Sequence, residues 1–216
     1  MKLSKQTLDI LKNFATINTN ILVREGNTLS TISTGKNIFA RAEISESFPK
    51  EFAIYDLNSL LSLLTVMDDT DVDFGDESLK VSKGTSVFEY YYADPNIIVS
   101  APDKNIEVDN FFQLTKDDID MIMKAAAITA APMLSIIGKD GEVTITVGDP
   151  STPKSNSFKQ VIAQTDKTFD ARLAVENFKV VPGGYSVILS QKKFMFLESS
   201  KGDVKYWLAL ERSSDI

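Results

Sequence analysis

Two segments of the chain place apolar residues at helical spacing, and each follows a residue that can cap the first turn of a helix. Ser4 precedes the first segment, and Thr115 with Asp118 forms a capping-box pattern before the second. These signals predict two amphipathic helices, each with a polar outer face. The apolar stripes are Leu8, Leu11, Phe14 and Ala15 in the first helix, then Ile119, Ile122, Met123 and Ala126 in the second.

Two further helices and a series of strands complete the predicted elements. Asp56 can cap a helix over residues 57–67, whose outer face is neutral. A short fourth helix over residues 175–181 ends before Pro182. Strand-like runs occur at residues 17–23, 28–33, 38–44, 52–55, 79–82, 86–92, 111–114, 133–137, 143–147, 158–163, 169–173, 185–190, 194–197 and 204–210.

The chain contains an internal repeat. Residues 3–11 and 114–122 share, in register, a leucine, a hydroxyl residue, a lysine, an apolar residue, an aspartate and two apolar residues. A strand, a glycine-containing turn and a second strand follow each copy; nine matching positions can arise by chance, but the matching order favours duplication. The sequence predicts an α+β protein of two similar domains, residues 1–107 and 108–216, each with two helices packed on antiparallel sheets. A connector occupies residues 93–109.

Composition narrows the range of functions. The 216 residues contain no cysteine and no histidine, which removes disulfides, the commonest general base and the commonest metal ligand. The net charge of -7 means that any contact with nucleic acid is confined to a local patch. Neither an N-terminal signal peptide nor an apolar run of membrane-spanning length is present, so we expect a cytosolic protein without membrane contact.

Several short blocks occur in a fixed order along the chain: residues 3–5, 11–18, 53–58, 93–95, 182–185 and 206–211. In these blocks the chain resembles the DNA sliding clamps of T-even-type bacteriophages, and the resemblance runs from end to end. Residues 205–209 are more distantly similar to the C-terminal strand of the eukaryotic clamp, proliferating cell nuclear antigen. Trp207 and residues 149–157 depart from the phage pattern.

The resemblance implies a DNA clamp fold and a homotrimer closed into a ring around double-stranded DNA. It implies a non-enzymatic processivity factor for a DNA polymerase, placed on DNA by a clamp loader ATPase in the cytoplasm of an infected bacterium. It also suggests contact with RNA polymerase late-transcription factors. No cofactor, metal or catalytic residue is implied.

Lysines at helical spacing are the candidate DNA contacts. Lys5 and Lys12 are seven residues apart and share a helix face, where their ammonium groups can approach the phosphate backbone. The alternative is that they are solvated surface lysines. By similarity of position, five residues would extend this lining: Lys124, Lys179, Lys116, Lys2 and Arg172.

Two further surfaces follow from the resemblance. A pocket for short peptides of partner proteins would be formed by Ile106, Val108, Trp207, Leu208, Ala209 and Leu210, although Leu208 and Leu210 are better explained as core residues. The joint of the ring would pair a strand after Asp94, with Ile97, Ile98 and Val99, with a neighbour's strand containing Phe158, Val161 and Ile162. Either strand could instead be covered within its own protomer.

Other classes of protein remain as alternatives. A phage tail or capsid subunit would also be acidic, rich in strands and oligomeric, but it gives no reason for lysines to recur on equivalent helix faces. An enzyme would need an active site made of carboxylates alone, and no acidic pair has the necessary spacing. The aspartates at 68, 69, 71 and 73 lack the glycine and terminal glutamate of a calcium loop, so a solvated acidic turn is favoured.

Overall fold

The computed structural model describes residues 1–67, 70–99, 112–152 and 154–216. The chain divides into two compact units, Met1–Asp103 and Lys104–Ile216. The predicted boundary between residues 107 and 108 lies outside the described residues. Each unit contains helices and antiparallel strands, which is the predicted α+β class.

Three α-helices occur in the described ranges: α1 (Lys5–Ile17), α2 (Leu57–Val66) and α3 (Lys116–Thr129). Each begins at the predicted cap. The Ser4 hydroxyl accepts from the Thr7 amide at 3.2 Å, and the Asp56 carboxylate accepts from the amides of the first turn of α2. Thr115 and Asp118 form a reciprocal capping box at α3. These local hydrogen bonds satisfy amides that have no partner within the helix.

In the first unit, the strands are β1 (Ile21–Val23), β2 (Gly26–Ile32), β3 (Ile38–Phe48), β4 (Phe52–Ile54), β5 (Val72–Phe74), β6 (Ser78–Lys83) and β7 (Ser86–Tyr91). Strand β1 pairs with β4, and β2 pairs with β3. Strands β5, β6 and β7 form a three-stranded sheet in chain order, so β7 lies at its edge. All these pairings are antiparallel.

In the second unit, the strands are β8 (Phe112–Leu114), β9 (Met133–Lys139), β10 (Glu142–Gly148), β11 (Phe158–Gln164), β12 (Phe169–Ala174), β13 (Tyr185–Ser190), β14 (Phe194–Ser199) and β15 (Val204–Ala209). One sheet has the order β11-β10-β9-β12, so β11 lies at its edge. The other runs β15-β14-β13-β8. Both are antiparallel throughout.

The same order of elements occurs in both units. After β8, the second unit repeats the first as a helix, four strands, a helical segment and three strands. The repeat predicted from residues 3–11 and 114–122 therefore extends to the order of elements in each unit.

The fourth predicted helix is wrong in length and type. Residues 175–181 form only a single 3-10 turn, Val175–Asn177, whose N-cap residue Ala174 offers no side-chain acceptor. Where the predicted helix would have continued, two tyrosine side chains form hydrogen bonds with the backbone of Val181. The amide of Val181 donates to the hydroxyl of Tyr206 at 3.1 Å, and the hydroxyl of Tyr185 donates to the Val181 carbonyl at 2.5 Å. Side chains thus satisfy peptide groups that a longer helix would have paired.

The buried faces of α1 and α3 differ slightly from the predicted stripes. In α1, Leu11, Phe14 and Ala15 are buried as predicted, while Leu8 is half-buried. In α3, Met123 is 45% exposed, and Ala125 is buried instead. The helix turns its Asp118 side towards β11, where the side-chain amide of Gln160 donates to Asp118 at 2.7 Å. This rotation moves Met123 away from the core.

Candidate nucleic-acid interface and partner surfaces

The exposed face of α1 carries Lys5 and Lys12, as predicted. Seven residues span about two helical turns, so both ammonium groups project from one side of the helix. Asp9 lies between them and approaches Lys12 at 3.7 Å, with both side chains about half exposed. An exposed ion pair of this kind is weak. Lys12 therefore remains exposed to solvent.

A carboxylate from another strand fixes the N-terminus of α1. Glu46, on β3, accepts hydrogen bonds from the Ser4 amide and from the Thr7 hydroxyl. Burial disfavours its ionisation, but the hydrogen bonds from Thr7 and Ser4 outweigh burial and lower the pKa of Glu46 to about 2. The negative charge also complements the positive end of the helix dipole. The role of Glu46 was not predicted from the sequence because its partners lie about 40 positions earlier in the chain.

The exposed face of α3 carries Lys116 and Lys124, again as predicted. Lys116 donates to Asp120 one turn later, and this hydrogen bond together with the charge of Asp120 raises the pKa of Lys116. Lys5 of α1 and Lys116 of α3 are both the first residue after the N-cap of their helix. The repeat therefore places a lysine at the same position of the two helices.

Within the second unit, Arg172 lies apart from the lysines of α3. Gln160 of β11, which contacts Asp118 of α3, is aligned across the sheet with Ile145, Ile136 and Ala171. Ala171 therefore lies on the α3 side of the sheet, and Arg172 lies on the opposite side. Arg172 is also ion-paired with Asp170 at 2.6 Å. Contrary to the prediction, Arg172 does not share a surface with the lysines of α3.

The remaining two cations lie outside the helices. Lys179 is half-buried and follows the 3-10 turn, so it does not lie on a helix face as predicted. Lys2 is exposed and precedes α1. Its position next to the lysine face of α1 is compatible with the predicted role, which stays a prediction.

The predicted peptide pocket falls mainly on β15. Leu208 is fully buried and Leu210 is nearly so, which agrees with the interpretation of both as core residues. Trp207 is also 8% exposed, and its ring lies 5.0 Å from that of Phe196 on β14. Ala209 is half-buried. Ile106 and Val108 lie outside the described residues, so the pocket stays a prediction.

One of the two segments predicted for the joint forms a strand. Strand β11, with Phe158, Val161 and Ile162, is an edge strand, and Val161 is 50% exposed. Residues 97–99 do not form the predicted strand: Pro95–Ile97 form a 3-10 turn, and the Asp94 carboxylate accepts a hydrogen bond from the Asn96 amide. Of the three residues named there, Ile98 is buried, while Ile97 and Val99 are exposed.

Two exposed apolar surfaces were missed by the sequence reasoning. Edge strand β7 exposes Val87 to 61% and Tyr91 to 66%. On α3, Ile128 is 84% exposed, and Met121, seven residues earlier on the same face, is 46% exposed. Met121 lies one turn after Asp118, which contacts β11, so this apolar side of α3 runs beside the edge strand. Unpaired edges flanked by apolar side chains are typical of assembly surfaces.

No group of three or more carboxylates in the described residues could hold a metal ion. None of the helices in those ranges has the length and apolar character needed to cross a bilayer.

The family of this chain is assigned from its sequence similarity to known proteins. Residues 2–100 match the family model described as DNA polymerase processivity factor. The sliding clamp of Escherichia phage RB69 is 32% identical over 230 residues, covering 99% of this chain and 98% of the relative. The chain belongs to the phage sliding clamps. The sliding clamp of Vibrio phage KVP40 is 30% identical over 197 residues, covering 87% of this chain and 89% of the relative.

Solved structures show the fold of the clamp. The proliferating cell nuclear antigen of Entamoeba histolytica superposes with a TM-score of 0.69 at 16% identity, covering 94% of each chain. The A. fulgidus proliferating cell nuclear antigen, solved with the C-terminal region of FEN-1, gives 0.70 at 14% identity and covers 96% of each chain. The DNA clamp fold predicted from the sequence is confirmed, and so is the function of a DNA polymerase processivity factor in phage replication. The relatives are clamps, so the alternative of a phage structural subunit is not supported.

Proposed function

We propose that three copies of the clamp close into a ring around double-stranded DNA and tether the DNA polymerase without catalysing a reaction. The observation that carries this proposal is the recurrence of lysine at the first position of α1 and of α3, each on an exposed helix face. Lys12 and Lys124 extend the two faces. Both faces turn towards the duplex in the proposed ring, where they meet phosphates of any sequence.

The charge distribution suits sliding rather than fixed binding. The chain carries a net charge of -7, so attraction to DNA is confined to the lysine faces. Asp9 and Asp120 pair with Lys12 and Lys116 and weaken that attraction further. Weak phosphate contact lets the duplex move through the hole, while closure of the ring prevents dissociation. Negative charge elsewhere on the surface repels the duplex.

Two exposed edge strands give the ring a joint. We place β7 of one copy beside β11 of the next, replacing the predicted segment of residues 97–99, because β7 is a strand edge and residues 97–99 are not. Val87 and Tyr91 would meet Val161 and the Met121 and Ile128 side of α3. A joint between two different edges is heterologous, and repeating it closes a ring.

The partners of the clamp follow from its family. A polymerase peptide would dock at the predicted pocket on β15, with Trp207 as its most distinctive residue, and a clamp loader ATPase would open and close the ring. The same pocket would also bind late-transcription factors of RNA polymerase. These events take place in the cytoplasm of the infected host.

Polymerase product length tests the proposal. A phage-type polymerase extends a long primed circular template in the presence of clamp loader and ATP, with and without the clamp. We expect products many times longer when the clamp is present, and no gain when ATP or the loader is left out. Equal product lengths with and without the clamp would refute the tethering role.

A further inference from the structure

A small cavity of about 10 Å³ lies in the first unit, between the start of β1 and strand β2. Asn20 and Thr31 both contribute to its wall, together with Arg24. It lies next to the C-terminal end of α1, since Asn18 is the C-cap residue of that helix. Val99 also lines the cavity, whereas no residue of the lysine face of α1, of β7 or of β11 does.

Two residues that line the cavity, Asn20 and Thr31, each carry a buried side-chain oxygen without a protein partner. Thr31 is only 3% exposed, and its hydroxyl oxygen makes no hydrogen bond within the protein. The side-chain oxygen of Asn20 is buried and equally unpaired. Leaving a buried polar group without a hydrogen bond destabilises the folded state, so two such groups in the wall of one cavity call for a shared partner.

The neighbouring polar groups already form a connected network. The side-chain amide of Asn18 donates to the Ile32 carbonyl at 2.9 Å, and the Asn20 amide donates to the Asn18 side chain at 3.2 Å. The Asn18 amide in turn donates to the Phe14 carbonyl at the last turn of α1. This network connects the end of α1 to β2 at Ile32, which follows Thr31 in the chain, and it includes the backbone amide of Asn20.

We propose that the cavity holds one structural water molecule that bridges Asn20 and Thr31. A cavity of roughly 10–15 Å³ on this measure holds a single water, and a water needs two to four polar partners. A cation is disfavoured because Arg24 lines the same cavity. An anion is disfavoured because the Asn20 oxygen can only accept hydrogen bonds. Water donates and accepts, so it satisfies both side chains.

The bridging water would complete the connection between the end of α1 and β2. Because α1 carries Lys5 and Lys12, the water would act as a fixed support of the helix rather than as a contact to DNA. Its loss should loosen the last turn of α1 locally, without unfolding the unit.

Magnetic relaxation dispersion of oxygen-17 water counts long-lived internal waters and tests the proposal. We expect Thr31→Val to hold one fewer such water than the wild type, because valine has the same shape but no hydroxyl. Thr31→Ser, which keeps the hydroxyl, should retain the water. Amide exchange at Asn18 and Asn20 should be about fivefold faster in Thr31→Val, which corresponds to a lost hydrogen bond of roughly 1 kcal/mol.

A high-resolution crystal structure of the wild type provides a second readout that does not depend on any variant. One density peak within hydrogen-bond distance of Asn20 Oδ1 and Thr31 Oγ1 would support the proposal. An empty cavity, or an equal count of long-lived waters in the wild type and in Thr31→Val, would overturn it.

Discussion

The hydroxyl of Thr7 donates a 2.6 Å hydrogen bond to the carboxylate of Glu46, which joins the first turn of α1 to strand β3. Since hydrogen bonds lower the pKa of Glu46 to about 2 from 4.5, the ionised form stabilises the folded state. This contribution is present above the unfolded pKa and is lost as the pH falls towards 2.

Glu46→Gln should therefore destabilise the clamp at neutral pH by about 1 kcal/mol, a value discounted for solvent screening. Urea unfolding at several pH values measures the effect, and the difference from wild type should shrink as the pH approaches 2. Glu43→Gln is the matched control, because Glu43 is exposed on the same strand. A constant difference at all pH values would show that the carboxylate charge is not responsible.

Reversing the charge of the α1 face should impair function without affecting assembly. We expect Lys5→Glu with Lys12→Glu to shorten polymerase products by an order of magnitude or so, because phosphate contacts become repulsions. Lys192→Glu with Lys201→Glu changes the net charge equally at two exposed turns and should behave like wild type. If both double variants lose activity to the same extent, the effect comes from total charge rather than from the helix face.

Two variants, each with one edge of the proposed joint blocked, test the ring when they are mixed. Tyr91→Glu on β7 and Val161→Glu on β11 should each abolish closed trimers, measured by sedimentation of the 23.9 kDa chain. A mixture should give dimers, because each pair retains one intact β7–β11 contact and has one blocked edge at each end. Dimers from either variant alone would contradict the heterologous joint. Thr34→Glu, at an exposed turn, is the control that should remain trimeric.

Tyr206, which accepts the hydrogen bond of the Val181 amide, should stabilise the folded state. Tyr206→Phe leaves the Val181 amide without its 3.1 Å acceptor, and we expect a loss of about 1–3 kcal/mol. Tyr55→Phe, at a side chain that is 65% exposed, should have almost no effect.

Alkaline unfolding gives a second test of the same tyrosine. Burial raises the pKa of Tyr206, so its contribution is complete below the unfolded pKa of 10 and is lost as the pH rises above that value. The Tyr206→Phe variant should therefore lose less stability than the wild type between about pH 10 and pH 12. A parallel decline of the two proteins would contradict the assignment.

The core of the first unit contains an apolar cavity of about 20 Å³ lined by Leu64, Val72 and other aliphatic and aromatic side chains. Val72→Ile adds one methylene group to this space, and we expect a gain of roughly 0.5–1 kcal/mol in the free energy of unfolding. Val66→Ile, at a side chain that is 71% exposed, is the control. A loss of stability in Val72→Ile would mean that the cavity cannot accept the group without strain.

The helix starts could be predicted because their signals are local. Ser4, Asp56 and Thr115 each bond to amides within three residues, and those bonds are visible as short sequence patterns. Strand β5 was missed because its three residues lie in an acidic stretch and include Asp73. The false strand at residues 97–99 followed the apolar pattern and ignored the turn signal of Asp94 and Pro95.

Site features that depend on distant partners could not be predicted from the sequence. Alternation places Ala171 and Arg172 on opposite faces of β12, but only the packing of α3 decides which face it covers. The contact of Glu46 with Thr7 bridges 39 positions. The exposure of Val87 and Tyr91 depends on β7 being the last strand of its sheet.

The 3-10 turn at Val175–Asn177 makes the two halves of the clamp unequal, since the corresponding segment of the first unit is the full helix α2. In a ring of identical chains, the potential felt by a rotating duplex would then repeat once per protomer rather than once per repeat unit. As the DNA rotates or translates, its interaction energy with the ring would vary with the period of the subunits.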